Sequence, residues 1–170
     1  MSVERILALG EDQLAAQYVI SFPEGLPNGG NSDNLMLRLD QSFDPPEEMV
    51  GDYDIRYRGM LVKKTNMTEA TEKSFSVDVR IDQNWEIIKD LQQCKEMTYN
   101  ALTGTAMSEE ETRFTMQINA MDQNNNIVAS MQYNYCKVKG LKIGTFDNAS
   151  EDPLRATITF IYGSYELVIS

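Results

Sequence analysis

The sequence predicts a mainly β protein: two antiparallel sheets packed as a barrel-like sandwich, with one α-helix on a flank. Three observations carry this. Apolar and polar residues alternate with a period of two in several segments, above all in Lys73 to Asp82. Asn-, Asp-, Gly- and Pro-rich stretches separate those segments as turns do. Only one sizeable window, Trp85 to Tyr99, has the three- and four-residue apolar spacing of a helix.

Taken in order, Val3, Ile6, Leu7, Gly10 and Leu14 follow helical spacing, so residues 1–13 read as a short helix or a docking arm. QYVISF reads as a strand that Pro23 closes, and GLPNGGNSD as the first loop. Asn34 to Gln41 alternates, with Leu35, Leu37 and Leu39 on one face and Met36, Arg38 and Asp40 on the other. This predicts a half-buried strand. Pro45 and Pro46 lack ladder donors and require a stiff acidic loop after it. Asp52 to Lys64 alternates again, Tyr53, Ile55, Tyr57 and Leu61 against Asp52, Asp54, Arg56 and Arg58, and is expected to pair with the preceding strand.

In Lys73 to Asp82, Phe75, Val77, Val79 and Ile81 share one face. A helix is expected over residues 83–99, with Asn84 as its cap, Glu86 in its first turn and Trp85 as a packing anchor. The stretch from Thr103 to Glu111 reads as loop, its SEEE cluster as solvated surface. Phe114 to Met121 and Ile127 to Tyr135 flank DQNNN, whose residues tolerate a tight reversal. Lys137 to Thr145 and Leu154 to Ile169 complete the set, giving about eight strands in the order four strands, helix, four strands.

A chain of 170 residues and 19.3 kDa is short for two cores, so residues 1–170 are expected to form a single domain. The chain has no histidine, which excludes serine-histidine and cysteine-histidine catalysis within it. Fifteen basic against 26 acidic residues leave a net charge of -11, which opposes tight binding to phosphate backbones. Cys94 and Cys136 stand far apart, so no zinc knuckle, CxxC motif or disulfide scaffold is expected. Each reads as a small buried residue, Cys136 in the core or at an interface, in a reducing cytosol. The opening MSVERILALG does not read as a signal peptide, and no apolar window is long enough to span a membrane. The acids from Asp40 to Asp54 lack EF-hand spacing, and Glu109, Glu110 and Glu111 lack the enclosed cleft that acid-base pairs need. No catalytic residue, metal ligand or cofactor is assigned.

Beyond these patterns, the sequence resembles the tail-tube proteins of contractile-tailed bacteriophages and is similar to tube subunits of contractile injection systems. The likeness lies in an N-terminal arm leading into QYVISF and in KSFSVDVRID running straight into NWEIIKDLQQ. It continues in YCKVKGLKIGTFDN, followed by an acidic turn and LRATITFIYGSYELVI. The resemblance implies hexameric rings stacked into a hollow tube, with one sheet of each subunit lining the lumen and a sheath outside. It further implies tail sheath, baseplate and tail-terminator partners, transient non-specific passage of DNA, and a place in a virion tail assembled in the host cytoplasm. It implies no enzymatic activity. The same fold serves type VI tubes that pass proteins.

If the hairpins at 34–64 and 112–135 form the lumen sheet, their polar phase faces the channel. That phase contains Arg38, Asp40, Asp52, Asp54, Arg56, Arg58, Thr115, Gln117, Asn119, Ser130, Gln132 and Asn134. Such a lining is polar and hydrated without being strongly acidic. The loop with Phe43, Pro45, Pro46, Glu47 and Glu48 is the candidate contact to an adjacent ring. A monomeric β-sandwich binding module is the alternative from a different class.

Overall fold

A computed structural model describes residues 3–8, 12–15, 17–39, 43–69 and 71–170. A short helix α1 (Val3–Leu7) precedes strand β1 (Tyr18–Ser21) and helix α2 (Ser32–Arg38). Strands β2 (Val50–Tyr57), β3 (Met60–Glu69) and β4 (Ser74–Arg80) lead to the main helix α3 (Glu86–Thr98). The one-turn helix α4 (Glu109–Thr112) is followed by β5 (Phe114–Met121), β6 (Ile127–Ile143), β7 (Arg155–Ile161) and β8 (Ser164–Ile169).

The long strand β6 builds both layers. Its first half lies between β5 and β8, so that β1, β5, β6 and β8 form a four-stranded antiparallel sheet. Its second half pairs with β7, which pairs with β4. The change of partner falls at Tyr135, whose backbone is left-handed with φ of 57° and whose ring lies 5.0 Å from the Arg113 guanidinium. Burial of the two facing layers makes the core. Phe75 from β4 and Phe160 from β7 lie 5.4 Å apart by ring centroids, and Phe75 also meets Tyr133 of β6 at 5.2 Å. Ile20, Met116 and Ile118 close the other side of this core. The architecture is thus a sandwich, and among the described residues its sheets do not close into a barrel.

Helix α3 buries Ile87, Leu91 and Cys94 at helical spacing and packs against β6. It starts later than Asn84 would place it. The residue before its first turn is Trp85, left-handed at φ 56°, and Asp82 Oδ2 accepts the Glu86 amide at 3.3 Å. Trp85 thus holds the cap position in place of Asn84, and Asp82, two residues beyond β4, accepts the first helical amide. Trp85 is 39% exposed, so its anchoring is partial.

Two expectations fail together. The strand expected over Asn34 to Gln41 is not seen in its described residues, 34–39: Ser32–Arg38 is helical, Asn31 accepts the Asn34 amide at 3.0 Å as its cap, and Asp33 sits in the first turn. The buried pair is Leu35 and Leu39, four residues apart, while Leu37 is 73% exposed. Asp52 to Lys64, conversely, is not one strand. Tyr57, Arg58, Gly59 and Met60 form a two-residue reversal with φ of 49° and 83° at its centre, and β2 pairs with β3. The strand count is unchanged because these two errors offset, as do two others: Ile127 to Tyr135 and Lys137 to Thr145 run together as the single strand β6, and Leu154 to Ile169 divides into β7 and β8.

The SEEE segment is also more ordered than a loop. Ser108 and Glu111 form a capping box, with Glu111 Oε2 accepting the Ser108 amide at 3.2 Å, and Glu109 forms an ion pair with Lys137.

Candidate assembly surface

The cross-strand register of the four-stranded sheet places its solvent face row by row. Ser21, Gln117, Gln132 and Glu166 stand side by side on β1, β5, β6 and β8. The next row on that face is Val19, Asn119, Ser130 and Val168, and Asn134 opposes Ser164 beyond. These groups largely satisfy one another. Ser130 Oγ donates to Asn119 Oδ1 at 2.7 Å, Asn119 Nδ2 donates to Ser21 Oγ at 3.4 Å, and Gln132 Nε2 donates to Asn134 Oδ1 at 2.8 Å. Of these side chains only Glu166 carries a charge, and it is exposed.

The same sheet has open edges at both ends. In the described residues β1 pairs only with β5, and β8 only with β6. Neither edge carries the lysines or prolines that guard free strands. Strand β8 is exposed on both sides: Val168 on the solvent face is 54% exposed, and Leu167 and Ile169 on the core side are 53% and 73% exposed. The second layer of the chain does not reach them.

The β2–β3 hairpin forms a two-stranded sheet of its own. Asp52, Asp54 and Arg56 line one of its faces with Lys63 and Leu61, and Lys63 Nζ lies 3.7 Å from Asp52 and 3.8 Å from Asp54. The other face carries Tyr53, Ile55, Tyr57, Met60 and Val62.

No protein-family model matches the sequence, and no curated protein matches it. Solved structures do. A chain of the sheath-tube complex of an extracellular contractile injection system (PVC, extended state) aligns with a TM-score of 0.61 at 11% identity, covering 100% of this chain and 99% of that one. A chain of the anti-feeding prophage baseplate gives 0.64 at 10% identity over 94% and 97% of the two chains. One from the PVC sheath/tube terminator gives 0.66 at 10% identity over 94% and 99%. The chain shares the fold of these chains from contractile injection systems.

Within that fold the expected lining residues are dispersed. Gln117, Asn119 and Gln132, with Ser130 and Asn134, share the face of the four-stranded sheet that turns away from the core, although Asn119 itself is buried there. Asp52, Asp54 and Arg56 belong to the separate hairpin, and Arg58 to its turn. Arg38 lies in the last turn of α2, where its Nε donates to Asn34 Oδ1 at 3.2 Å. Asp40 lies outside the described residues. Thr115 sits at a bulge of β5. The hairpins expected at 34–64 and 112–135 therefore do not build one sheet; β1 and β8 complete it instead. Ser21, Glu166, Leu167 and Ile169 are the surface residues the sequence reading missed. For the last three, the only local signal was Gly163, which divides Leu154 to Ile169 into β7 and β8 without showing where β8 pairs.

The candidate inter-ring segment is also partly engaged inside its own chain. Phe43 packs edge-on to Phe75 at 5.5 Å and lies 6.3 Å from Tyr133, and Glu48 accepts the Tyr162 hydroxyl. Pro45 and Glu47 are exposed. Both thiols are free and buried, and burial raises Cys94 to about 11 and Cys136 to about 12.

Proposed function

We propose that the chain is the tube subunit of a contractile injection apparatus, its copies joining into hexameric rings that stack as a hollow conduit. The observation that carries this reading is strand β8: an unguarded edge whose Leu167 and Ile169 face the core side of the sheet without a covering layer. A second copy adding β1 or the loops around it along that edge would bury them and extend the sheet. Repeated around a closed ring, this contact removes every free edge of the four-stranded sheet.

The solvent face of the sheet then lines the bore. Ser21, Asn119 and Ser130, and Gln132 and Asn134, are bonded to one another there, and the face carries one carboxylate, Glu166, per copy. A surface of that kind passes a polymer without holding it, because a polyanion meets no cationic row and an unfolded polypeptide meets no broad apolar one. The subunit's work is geometric, and no enzymatic step is assigned to it. Sheath, baseplate and terminator proteins are the expected partners in a tail-like particle, and the similarity to chains from sheath-tube, baseplate and terminator assemblies supports this. Those same structures favour an injection device over a phage tail ejecting DNA.

Negative-stain electron microscopy of the purified chain tests the reading, with Leu167→Asp/Ile169→Asp as the control. Rings or hollow filaments from the natural chain, and monomers of unchanged circular dichroism from the variant, are expected. A natural chain that remains monomeric at high concentration, or a variant that still forms rings, refutes it.

A further inference from the structure

The layer built by β4, β7 and the second half of β6 has an outer face whose charge opposes that of the molecule. Val77, Val138, Ile158 and Phe160 are buried on its inner face, so the alternate residues of the three strands turn away from the core. Lys137 and Lys142 stand there on β6, Thr157 and Thr159 on β7, and Arg80 on β4. The register shifts between Val138 and Gly140, and the extra residue of that bulge, Lys139, is exposed.

On a chain of net charge -11 this strip is cationic. Its carboxylate, Asp78, accepts the Thr157 hydroxyl at 2.7 Å. Arg80 Nη2 donates to the Leu37 carbonyl at 3.1 Å, and a neutral carbonyl leaves the guanidinium charge uncompensated. Among the described residues neither Lys139 nor Lys142 forms an ion pair, and both are exposed. Lys137 differs: its side chain is 16% exposed and is paired with Glu109 of the acidic helix α4. The strip thus already holds a carboxylate at one end and is open along the rest.

Its dimensions select the occupant. Three strands measure about 10 Å from the first axis to the last, which is the width of one helix or extended segment. The middle of the strip is low, because Gly140 has no side chain and a Cβ there would meet only Thr159 at 3.8 Å. A polynucleotide would run off so narrow a strip onto acidic surface, whereas a short acidic polypeptide segment ends with it.

We propose that the outer face of β4, β7 and β6 docks an acidic segment of a different protein, whose carboxylates carry the pairing begun by Glu109 onward to Lys139, Lys142 and Arg80. This face lies on the opposite side of the sandwich from the sheet proposed to line the bore, so in a tube it looks outward. Only that outward placement rests on the tube reading; the binding itself does not.

Binding is measured on the free chain with a fluorescent decaglutamate peptide. Saturable binding is expected, and it should weaken between about 0.05 and 0.5 M salt. Lys139→Glu/Lys142→Glu should reduce the affinity by about tenfold or more with unchanged circular dichroism. Arg56→Glu/Arg58→Glu makes the same change of charge on the β2–β3 hairpin and should alter the affinity by less than about twofold. Equal losses from the two pairs, or no binding by the natural chain, overturn the proposal. A decathymidylate that binds more tightly than the peptide overturns it in favour of nucleic acid.

Lysine acetylation read by mass spectrometry then reports what covers the face. Lys139 and Lys142 should react equally in free and assembled chain and become protected when decaglutamate is added. Protection by assembly alone would mean that a second copy covers the face, which defeats this proposal and leaves the tube reading intact. A chain that binds the peptide as expected yet forms no rings would do the reverse.

Discussion

Tyr162, just beyond β7, donates a 3.0 Å hydrogen bond from its phenol to Glu48 Oε1, in the segment that enters the β2–β3 hairpin. Glu48 Oε2 accepts from Thr71 Oγ1 at 3.3 Å, and that same hydroxyl oxygen accepts the Met49 amide at 2.7 Å. One carboxylate thereby fastens both roots of the hairpin and joins them to the core. Tyr162→Phe removes this tie without changing the ring packing. A loss of about 1 kcal/mol is expected, seen as a lower urea midpoint at unchanged slope. Faster amide exchange at Met49 and Val50 should accompany it, and unchanged exchange there would show that the tie does not hold the hairpin.

Alkaline pH should unfold the chain earlier than its net charge suggests. Burial lifts Cys94 from 9.0 to about 11 and Cys136 from 9.0 to about 12, and it also lifts Tyr133 and Tyr162 above 10.0. For each group the folded state keeps a proton that the unfolded chain releases. The stabilisation is therefore complete below about pH 9 and is lost as pH rises towards the folded values, at about 1.4 kcal/mol per pH unit for each such group. Thermal melts between pH 7 and 11 should show the midpoint falling from pH 9 upward. Cys94→Ala should make the fall shallower while lowering stability at pH 7, because it opens space beside Leu91 and Ile87.

How much of this was legible in the sequence depended on whether a segment's structure is set by its own residues. Strand β4 was readable because Phe75, Val77 and Val79 are all buried and their neighbours are not, so burial repeats the pattern. Helix α2 was misread because Leu35, Leu37 and Leu39 fit a strand, and only the Asn31 cap and the four-residue spacing of the two buried leucines distinguish a helix. The hairpin turn was missed because Arg58 occupies a left-handed position that Asn or Gly would have announced. The sheet face was half legible. Gln117, Asn119 and Gln132 lie on the regular β5–β6 pair, whereas Ser21 and Glu166 come from strands distant in sequence, whose pairing no local pattern encodes.

Two glycines in and after β6 should respond oppositely to alanine. A Cβ at Gly144 would overlap the carbonyl oxygen of Arg155, whose hydrogen bond from the Gly144 amide at 2.8 Å extends the β6–β7 ladder. Backbone must move there, and Gly144→Ala is expected to cost about 1–3 kcal/mol. A Cβ at Gly140 would meet only Thr159 at 3.8 Å, an ordinary contact. Gly140→Ala should be neutral or gain about 0.4–1 kcal/mol from a less flexible unfolded chain. Denaturant titrations of both variants decide the matter, and equal effects would mean that β6 ends elsewhere.

The character of the bore is open to a similar reversal. In assembled natural protein the proposed lining presents one carboxylate per copy among mutually bonded amides, so duplex DNA should not be retained at moderate salt. Gln132→Lys with Glu166→Gln replaces that carboxylate with an amine at directly opposed positions of β6 and β8, and it avoids placing two lysines side by side. Filaments of the variant should retain labelled DNA in co-sedimentation, with an affinity that falls steeply and linearly against the logarithm of salt. The slope should be about -0.9 for each phosphate neutralised. The free subunit should retain much less, because only the closed ring brings several copies of the lysine around one polymer. Retention by the natural filament would show that the neutral face does not line the bore. So would failure of the variant filament to retain DNA that is short enough to enter.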